Sequence, residues 1–239
     1  MGKGKGTRSM ASWDEDSVTM SVEAARRLLG PEDDRSHVDS VFLASTTMPF
    51  ADRLNSGIVR AALTLEESTQ CTDISSTLKC GTTALINAIA AVQSGKSNYS
   101  LVLSSDKRKS RVGSAQELDF GDASAAIGIN NKDIIAKVLA TSSVSVDFVD
   151  HFRAPNEEFD YNWEERWIRD EGYLKIIPKL INNLLKENDI NPSEIKKFIL
   201  PCIFPRVPQT ISKICGIDPE NVVDNLALNI GDSGSAHPL

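Results

Sequence analysis

The chain has no apolar run approaching the roughly 18 to 20 residues that a helix needs to cross a bilayer. Its opening, MGKGKGTRSMASWDED, is basic at first but lacks the apolar stretch of a secretory leader. The expectation is a cytoplasmic protein with no membrane segment. Histidine is scarce, at positions 37, 151 and 237 alone, and the cysteines at 71, 80, 202 and 215 form no C-x-x-C pair. Neither residue type has zinc-ligand spacing, so no metal site is expected. Widely spaced cysteines without an export signal suggest reduced thiols. Positive charge is in deficit, with 26 Lys and Arg against 33 Asp and Glu, a net charge of −7. That disfavours nucleic-acid binding, which rests on neutralising phosphates. Low-complexity segments, short tandem repeats and a Ser-His-Asp pattern are also missing. The serine pairs at 75–76 and 142–143 read as turns.

What is there fits a globular protein: 239 residues, 41% hydrophobic and 25% charged. The length suits one large domain or two small ones. The Gly/Lys-rich first dozen residues are expected to be mobile. Their alternating glycines follow no strand and make no nucleotide-binding loop. Asp14-Glu15-Asp16 ahead of SVTMSVEAARRLLG reads as a capped helix, with Arg26 and Arg27 near its end and Gly30 as its stop. VDSVFLAST (38–46), CTDIS (71–75), YSLVLSSD (99–106) and ASAAIGIN (123–130) read as strands, and SGIVRAALTL (56–65) as a helix. TTALINAIAAVQSG is apolar on most sides and reads as a buried helix. Apolar strands alternating with helices imply an α/β fold with a largely buried sheet.

The second half repeats the alternation. Residues 134–149 and 196–202 read as strands, 173–188 as a helix bent at Pro178, and VPQTISKICGI as a short helix ending near Gly216. HFRAPNEEFDYNWEERWIRDEG holds two of the three tryptophans, a clustering that suggests packing or an interface. The basic run Lys107-Arg108-Lys109-Ser110-Arg111 follows a strand. It reads as a solvated loop or, with Lys107 and Arg108 foremost, as a contact for phosphates.

DISSTLKCGTTALINAIAAVQSG places Cys80 beside Lys79 at a helix start, where both neighbours favour a thiolate. A free cysteine is also a common small core residue. The series TRSMASWDEDSVTM, VFLASTT, DISSTLKCGTTALINAIAAVQSG, FGDASAAIGI and NIGDSGSAHPL resembles the 3-hydroxy-3-methylglutaryl-CoA synthase and ketoacyl synthase III branch of the thiolase superfamily. The resemblance covers nearly the whole chain and rests on the order and spacing of the motifs. It implies a thiolase-like fold of two similar α/β halves in a layered helix/sheet sandwich. The halves would be 1–130, lacking its first strand, and 131–239, lacking its last elements. It also implies acyl transfer from a coenzyme A thioester to a cysteine, then a Claisen-type condensation. The partners it implies are a second thiolase-like subunit, as homo- or hetero-oligomer, and a zinc-bearing OB-fold protein.

The family register moves the nucleophile off Cys80. Counting from Asp73-Ile74, and back from Gly81-Thr82, it falls on Leu78. The family's histidine, which follows a proline, becomes Cys202 after Pro201. Its asparagine after glycine becomes Asp232 after Gly231, and its glutamate falls at Thr46. A leucine forms no thioester, a cysteine thiol is a weak donor, and an ionised Asp232 repels an enolate unless burial keeps it protonated. The resemblance therefore implies a degenerate or noncatalytic subunit. An active condensing enzyme using Cys80, with Cys202 and Asp232 in altered roles, is one alternative. An acyl-CoA binding or channelling subunit is the other.

Overall fold

The first sheet shows most plainly how the period of the apolar residues sets which faces are buried. The computed structural model describes residues 6–31 and 34–239; residues 1–5 of the Gly/Lys-rich opening lie outside them. The chain packs as two compact units. One runs to Arg108 and includes Gly113–Ile135 and Leu228–Leu239; the other holds Lys109–Val112 and Ala136–Ala227.

In the first unit, α1 (Ser17–Leu29), β1 (Ser40–Ala44), α2 (Asn55–Ala62), β2 (Gln70–Ile74), α3 (Cys80–Gln93), β3 (Tyr99–Asp106), α4 (Gln116–Asp119) and β4 (Ala123–Asn130) follow in order. The sheet runs β2-β1-β3-β4; β1 is parallel to both neighbours and β3 pairs antiparallel with β4 over eight residues. Side chains alternate across it. Val41, Leu43, Leu101 and Leu103 pack against Val18, Val22 and Ala25 of α1 and Val59 of α2. Phe42, Ala44 and Val102 pack against Cys80, Ala84 and Ala88 of α3. With helices on both faces, β1 is buried along all five residues, which is why it reads as one apolar run.

The helix ends are fixed by side chains. Asp16 accepts from the N–H groups of Val18 and Thr19, and Thr19 Oγ1 accepts from Asp16 N, closing a capping box on α1. Gly30 stops the helix with φ 79°. Leu54 offers α2 no cap. Asp73 of β2 supplies it instead, accepting from Asn55 N at 2.7 Å and Ser56 N at 2.8 Å. The helix α3 corrects one expectation. Its buried residues, Cys80, Gly81, Ala84, Ala88 and Val92, form one small-residue stripe, and Ile86 is exposed. A second correction concerns residues 7–9, which are tied down: Thr7 N donates to Leu228 O and Ser9 N to Ile230 O.

In the second unit, β5 (His151–Phe152) and β6 (Tyr161–Asn162) make a two-residue antiparallel ribbon, followed by α5 (Glu165–Trp167), α6 (Leu174–Glu187) and α7 (Val207–Ile214). Phe198, Leu200, Cys202, Val207, Ile211, Cys215 and Ile217 form its core. Pro178 lies inside α6 with no N–H to give, and the turns ahead of that helix, Ile168–Tyr173, are wound as a π-helix. The strands expected at 134–149 and 196–202 do not form. The second region keeps a single bridge, Phe198 to Val222, and in the first Val138 and Leu139 are exposed. Strand propensity is a preference for a pleated, half-buried surface, and neither segment lies beside a strand that would take its N–H and C=O groups. No helix among the described residues is long and apolar enough to cross a membrane.

Because α2 depends on a cap from β2, Asp73→Ala is expected to lower the unfolding free energy by about 1–3 kcal/mol, read as a reduced urea midpoint. An unchanged midpoint would remove Asp73 from the account of α2.

Candidate functional site

The crossovers from β1 to β2 and from β2 to β3 put α2 and α3 on opposite faces of the sheet. The carboxyl ends of parallel strands at such a switch are where open α/β sheets gather their chemistry. Here they bring together Thr46 after β1, Leu78 and Cys80 after β2, and Asp106 to Arg108 at the end of β3.

Asp106 is the centre. It has no exposure to solvent. Its Oδ1 accepts from Thr46 N at 2.7 Å, Ser45 Oγ and Thr46 Oγ1 at 3.0 Å, and Thr47 Oγ1 at 3.1 Å; its Oδ2 accepts from Ser235 N at 2.8 Å. With this many donors, both oxygens of the buried carboxyl group have hydrogen-bond partners. Gly234, with φ 62°, lets the chain pass: a Cβ there would lie 2.5 Å from Asp106 Oδ2 and 3.1 Å from Arg108 Nε.

Asp232 sits beside this centre. Its backbone is strapped to the turn after α4, accepting from Gly121 N at 3.0 Å and donating to Asp119 O at 2.6 Å. The Arg108 side chain is only 3% exposed; its terminal nitrogen lies 2.8 Å from Asp232 Oδ1 and 2.7 Å from Asp232 O. The guanidinium carbon stands 3.8 Å from the Phe120 ring centroid. Burial alone would raise the Asp232 carboxyl. The Arg108 charge and hydrogen bond, the Gly234 N–H and His237 overcome it and hold the group below its ordinary range. The condition under which Asp232 could serve an enolate, a carboxyl kept protonated by burial, is not met, because Arg108 favours the ionised form.

Cys80 opens α3 and is fully buried in the apolar cluster with Phe42, Ala84 and Val102. Burial pushes its thiol up to about 11; the Ser235 hydroxyl acts against this, the Asp106 charge adds to it, and nearby backbone N–H groups oppose it weakly. The depression expected from Lys79 and the helix start is outweighed by desolvation. Leu78 lies half-buried in the turn just before the helix, and Thr46 gives both its N–H and its hydroxyl to Asp106.

The cationic heads of the basic run are engaged. Lys107 Nζ donates to Ser12 O at 2.9 Å and Glu15 O at 2.7 Å, holding the segment ahead of α1, and Arg108 is committed to Asp232. Cys202 belongs to the second unit. It is buried there, with its Sγ 3.9 Å from Phe204 O and its carbonyl accepting from Asn225 Nδ2 at 2.5 Å. Among the described residues no group of three or more His, Cys, Asp and Glu is placed to hold a metal. Sequence reasoning missed Asp106, Gly234 and Ser235. The signals were a lone acid closing an apolar strand and the G-D-S-G-S run at the end of the chain.

No family model matches the chain. Among curated proteins, the hydroxymethylglutaryl-CoA synthase of Picrophilus torridus is 27% identical over 221 residues, which is 92% of this chain and 63% of that protein. The enzyme of the same name from Methanopyrus kandleri is 25% identical over 234 residues, 97% of this chain and 67% of that one. The chain thus spans about two thirds of the length of these relatives. Among solved structures, 3-oxoacyl-[acyl-carrier-protein] synthase III from Aquifex aeolicus superposes with a TM-score of 0.82 at 20% identity, over 96% of this chain and 75% of that one. An HMG-CoA synthase complexed with CoA gives 0.80 at 20% identity, over 92% and 59%. The fold is the thiolase-like α/β fold of these proteins.

Removing one member of a buried ion pair strands the other. Arg108→Met is expected to cost about 3–5 kcal/mol of stability, and Arg108→Met/Asp232→Asn to recover most of it, read by urea unfolding. The depressed Asp232 carboxyl gives stability that is complete above the ordinary carboxylate range and lost as pH falls through the folded-state value. Below about pH 4, the parent chain should therefore lose stability more steeply than Asp232→Asn. Parallel pH curves would contradict the assignment.

Proposed function

The chain belongs to the thiolase superfamily, on its 3-hydroxy-3-methylglutaryl-CoA synthase and ketoacyl synthase III branch, and from that premise we propose that it is a noncatalytic subunit of an acyl-CoA condensing assembly. One observation carries the reading. The only thiol at the carboxyl ends of the first unit's strands among the described residues is Cys80, enclosed in the core with its thiol pushed up to about 11. Acyl transfer needs a thiolate that can reach a thioester carbonyl. A thiol at about 11 leaves on the order of one molecule in ten thousand ionised at pH 7, and Leu78, at the family's register, has no nucleophile.

The remaining groups support the same reading. Condensation needs donors aimed at a developing oxyanion. Asp232 presents an ionised carboxylate, Arg108 is already neutralised by it, and the Thr46 hydroxyl is given to Asp106. Cys202, at the family's histidine position, has only a weak S–H donor.

Residues 1–130 and 131–239 are, in this proposal, the two thiolase-like halves. The partner is a second thiolase-like subunit, of the same or another kind, with the zinc-bearing OB-fold protein as a further candidate. Among the described strands β4 has one neighbour, β3, so its outer N–H and C=O groups are open to pairing with such a subunit.

Coenzyme A binding is the second reading, favoured by the similar structure complexed with CoA. A phosphate contact through Lys107 or Arg108 would first have to break the internal bonds those side chains make. An active enzyme using Cys80 is the third. Incubating the purified chain with radiolabelled acetyl-CoA separates them. No protein-bound label is expected. Retention of CoA without label would favour the second reading, and label abolished by Cys80→Ser would overturn the proposal.

A further inference from the structure

The aromatic residues of the second unit are gathered on one short ribbon, which the functional reading above leaves unused. β5 and β6 pair Phe152 with Tyr161 and His151 with Asn162. Trp163 N donates to Asp150 O at 2.8 Å, extending the pairing by one residue. Residues opposite one another on antiparallel strands share a face, so Asp150, Phe152, Tyr161 and Trp163 stand on the same side. The rings form a ladder, with centroids 5.1 Å apart for Phe152–Tyr161 and 6.1 Å for Tyr161–Trp163. One turn beyond Trp163, Trp167 stacks on Phe148 at 5.9 Å and 6°. These are surface rings: Phe152 is 51% exposed, Tyr161 54%, Trp163 48% and Trp167 44%. Aromatic side chains supply most of the energy of cores and interfaces, and a contiguous exposed set marks a recognition surface.

Charge selects the occupant. The cations of this segment are committed to acids: Arg153 to Asp160 at 2.8 Å, Arg166 to Asp170 at 3.5 Å and Arg169 to Asp170 at 2.8 Å. The His151 ring is held on Asp150 at 2.8 Å. Asp147, Glu157, Glu164 and Glu165 are exposed and carry no ion pair among the described residues. The segment that carries the ladder therefore has more carboxylates than cations, although the Arg169 guanidinium also feels the charges of Glu164 and Glu165. An apolar partner would bury those charges uncompensated, and an anionic bilayer would be repelled by them. A guanidinium meets both demands best, because it stacks flat on an aromatic face and pairs with a carboxylate through a planar fork; an ammonium is attracted to both only as a compact, strongly hydrated point charge. We infer that this face docks an arginine-bearing segment of a partner protein.

The full chain carrying Trp13→Phe leaves Trp163 and Trp167 as its only indoles. Titrated with a hexa-arginine peptide, its fluorescence should be quenched saturably. A hexa-lysine peptide should bind about tenfold or more weakly, since it cannot stack. Trp163→Ala, and separately Glu164→Gln/Glu165→Gln, should each weaken hexa-arginine binding by about tenfold with the circular dichroism spectrum unchanged. Any of four results overturns the inference: no saturable quenching, equal binding of the two peptides, binding indifferent to both sets of substitutions, or a fluorescence change that instead follows self-association or added anionic vesicles.

Discussion

Asp106 stands at the end of β3 with no access to water, and the strand ends of the first unit supply donors to both of its carboxyl oxygens. Burying such a polar group without partners is costly. Ser45, Thr46 and Thr47 answer that cost from the end of β1, and the N–H of Ser235 answers it from a segment 129 residues away in sequence. One side chain thereby fixes the spacing of two strands and the path of the closing loop. Gly234 is the only residue type that fits between Asp106 and Arg108 on that path.

The second buried polar group follows from the first. Arg108, two residues past Asp106, turns inward onto Asp232 and the Phe120 ring. Asp106 with its donors and the Arg108–Asp232 pair thus occupy the place where open α/β sheets usually keep a binding crevice. A catalytic site keeps donors aimed at an atom that is not yet there. Here the Thr46 hydroxyl and the Arg108 terminal nitrogen already have acceptors, the buried hydroxyls of Ser104 and Ser105 have none among the described residues, and Cys80 is packed as a core residue.

Much of this fold was legible in the residues themselves. The strands at 99–106 and 123–130 lie where the apolar runs put them, because both are held in a ladder along their full length. The segments at 134–149 and 196–202 were misread for the converse reason: β-branched residues are there, but a partner strand is not. The helix α3 is apolar on most sides and so reads as a buried helix, whereas only one stripe, with the alanines at 84 and 88 at its middle, is buried against the sheet. Of the site, Cys80, Asp232, Arg108, Leu78 and Thr46 could be named in advance. Their relations could not, since Arg108 and Asp232 are 124 residues apart and no local period links them. Asp106 escaped notice because a lone acid closing an apolar strand looks like the start of a turn.

Whether this chain can carry an acyl group turns on the state of one sulfur atom, that of Cys80. Alkylation of the intact chain by iodoacetamide across a pH series, with modification at Cys80 quantified by peptide mass spectrometry, reads it directly. Negligible reaction at neutral pH and a rise toward a midpoint of about 11 are the results the structure predicts. Rapid alkylation of Cys80 at neutral pH, with a midpoint below the ordinary thiol value, would contradict it.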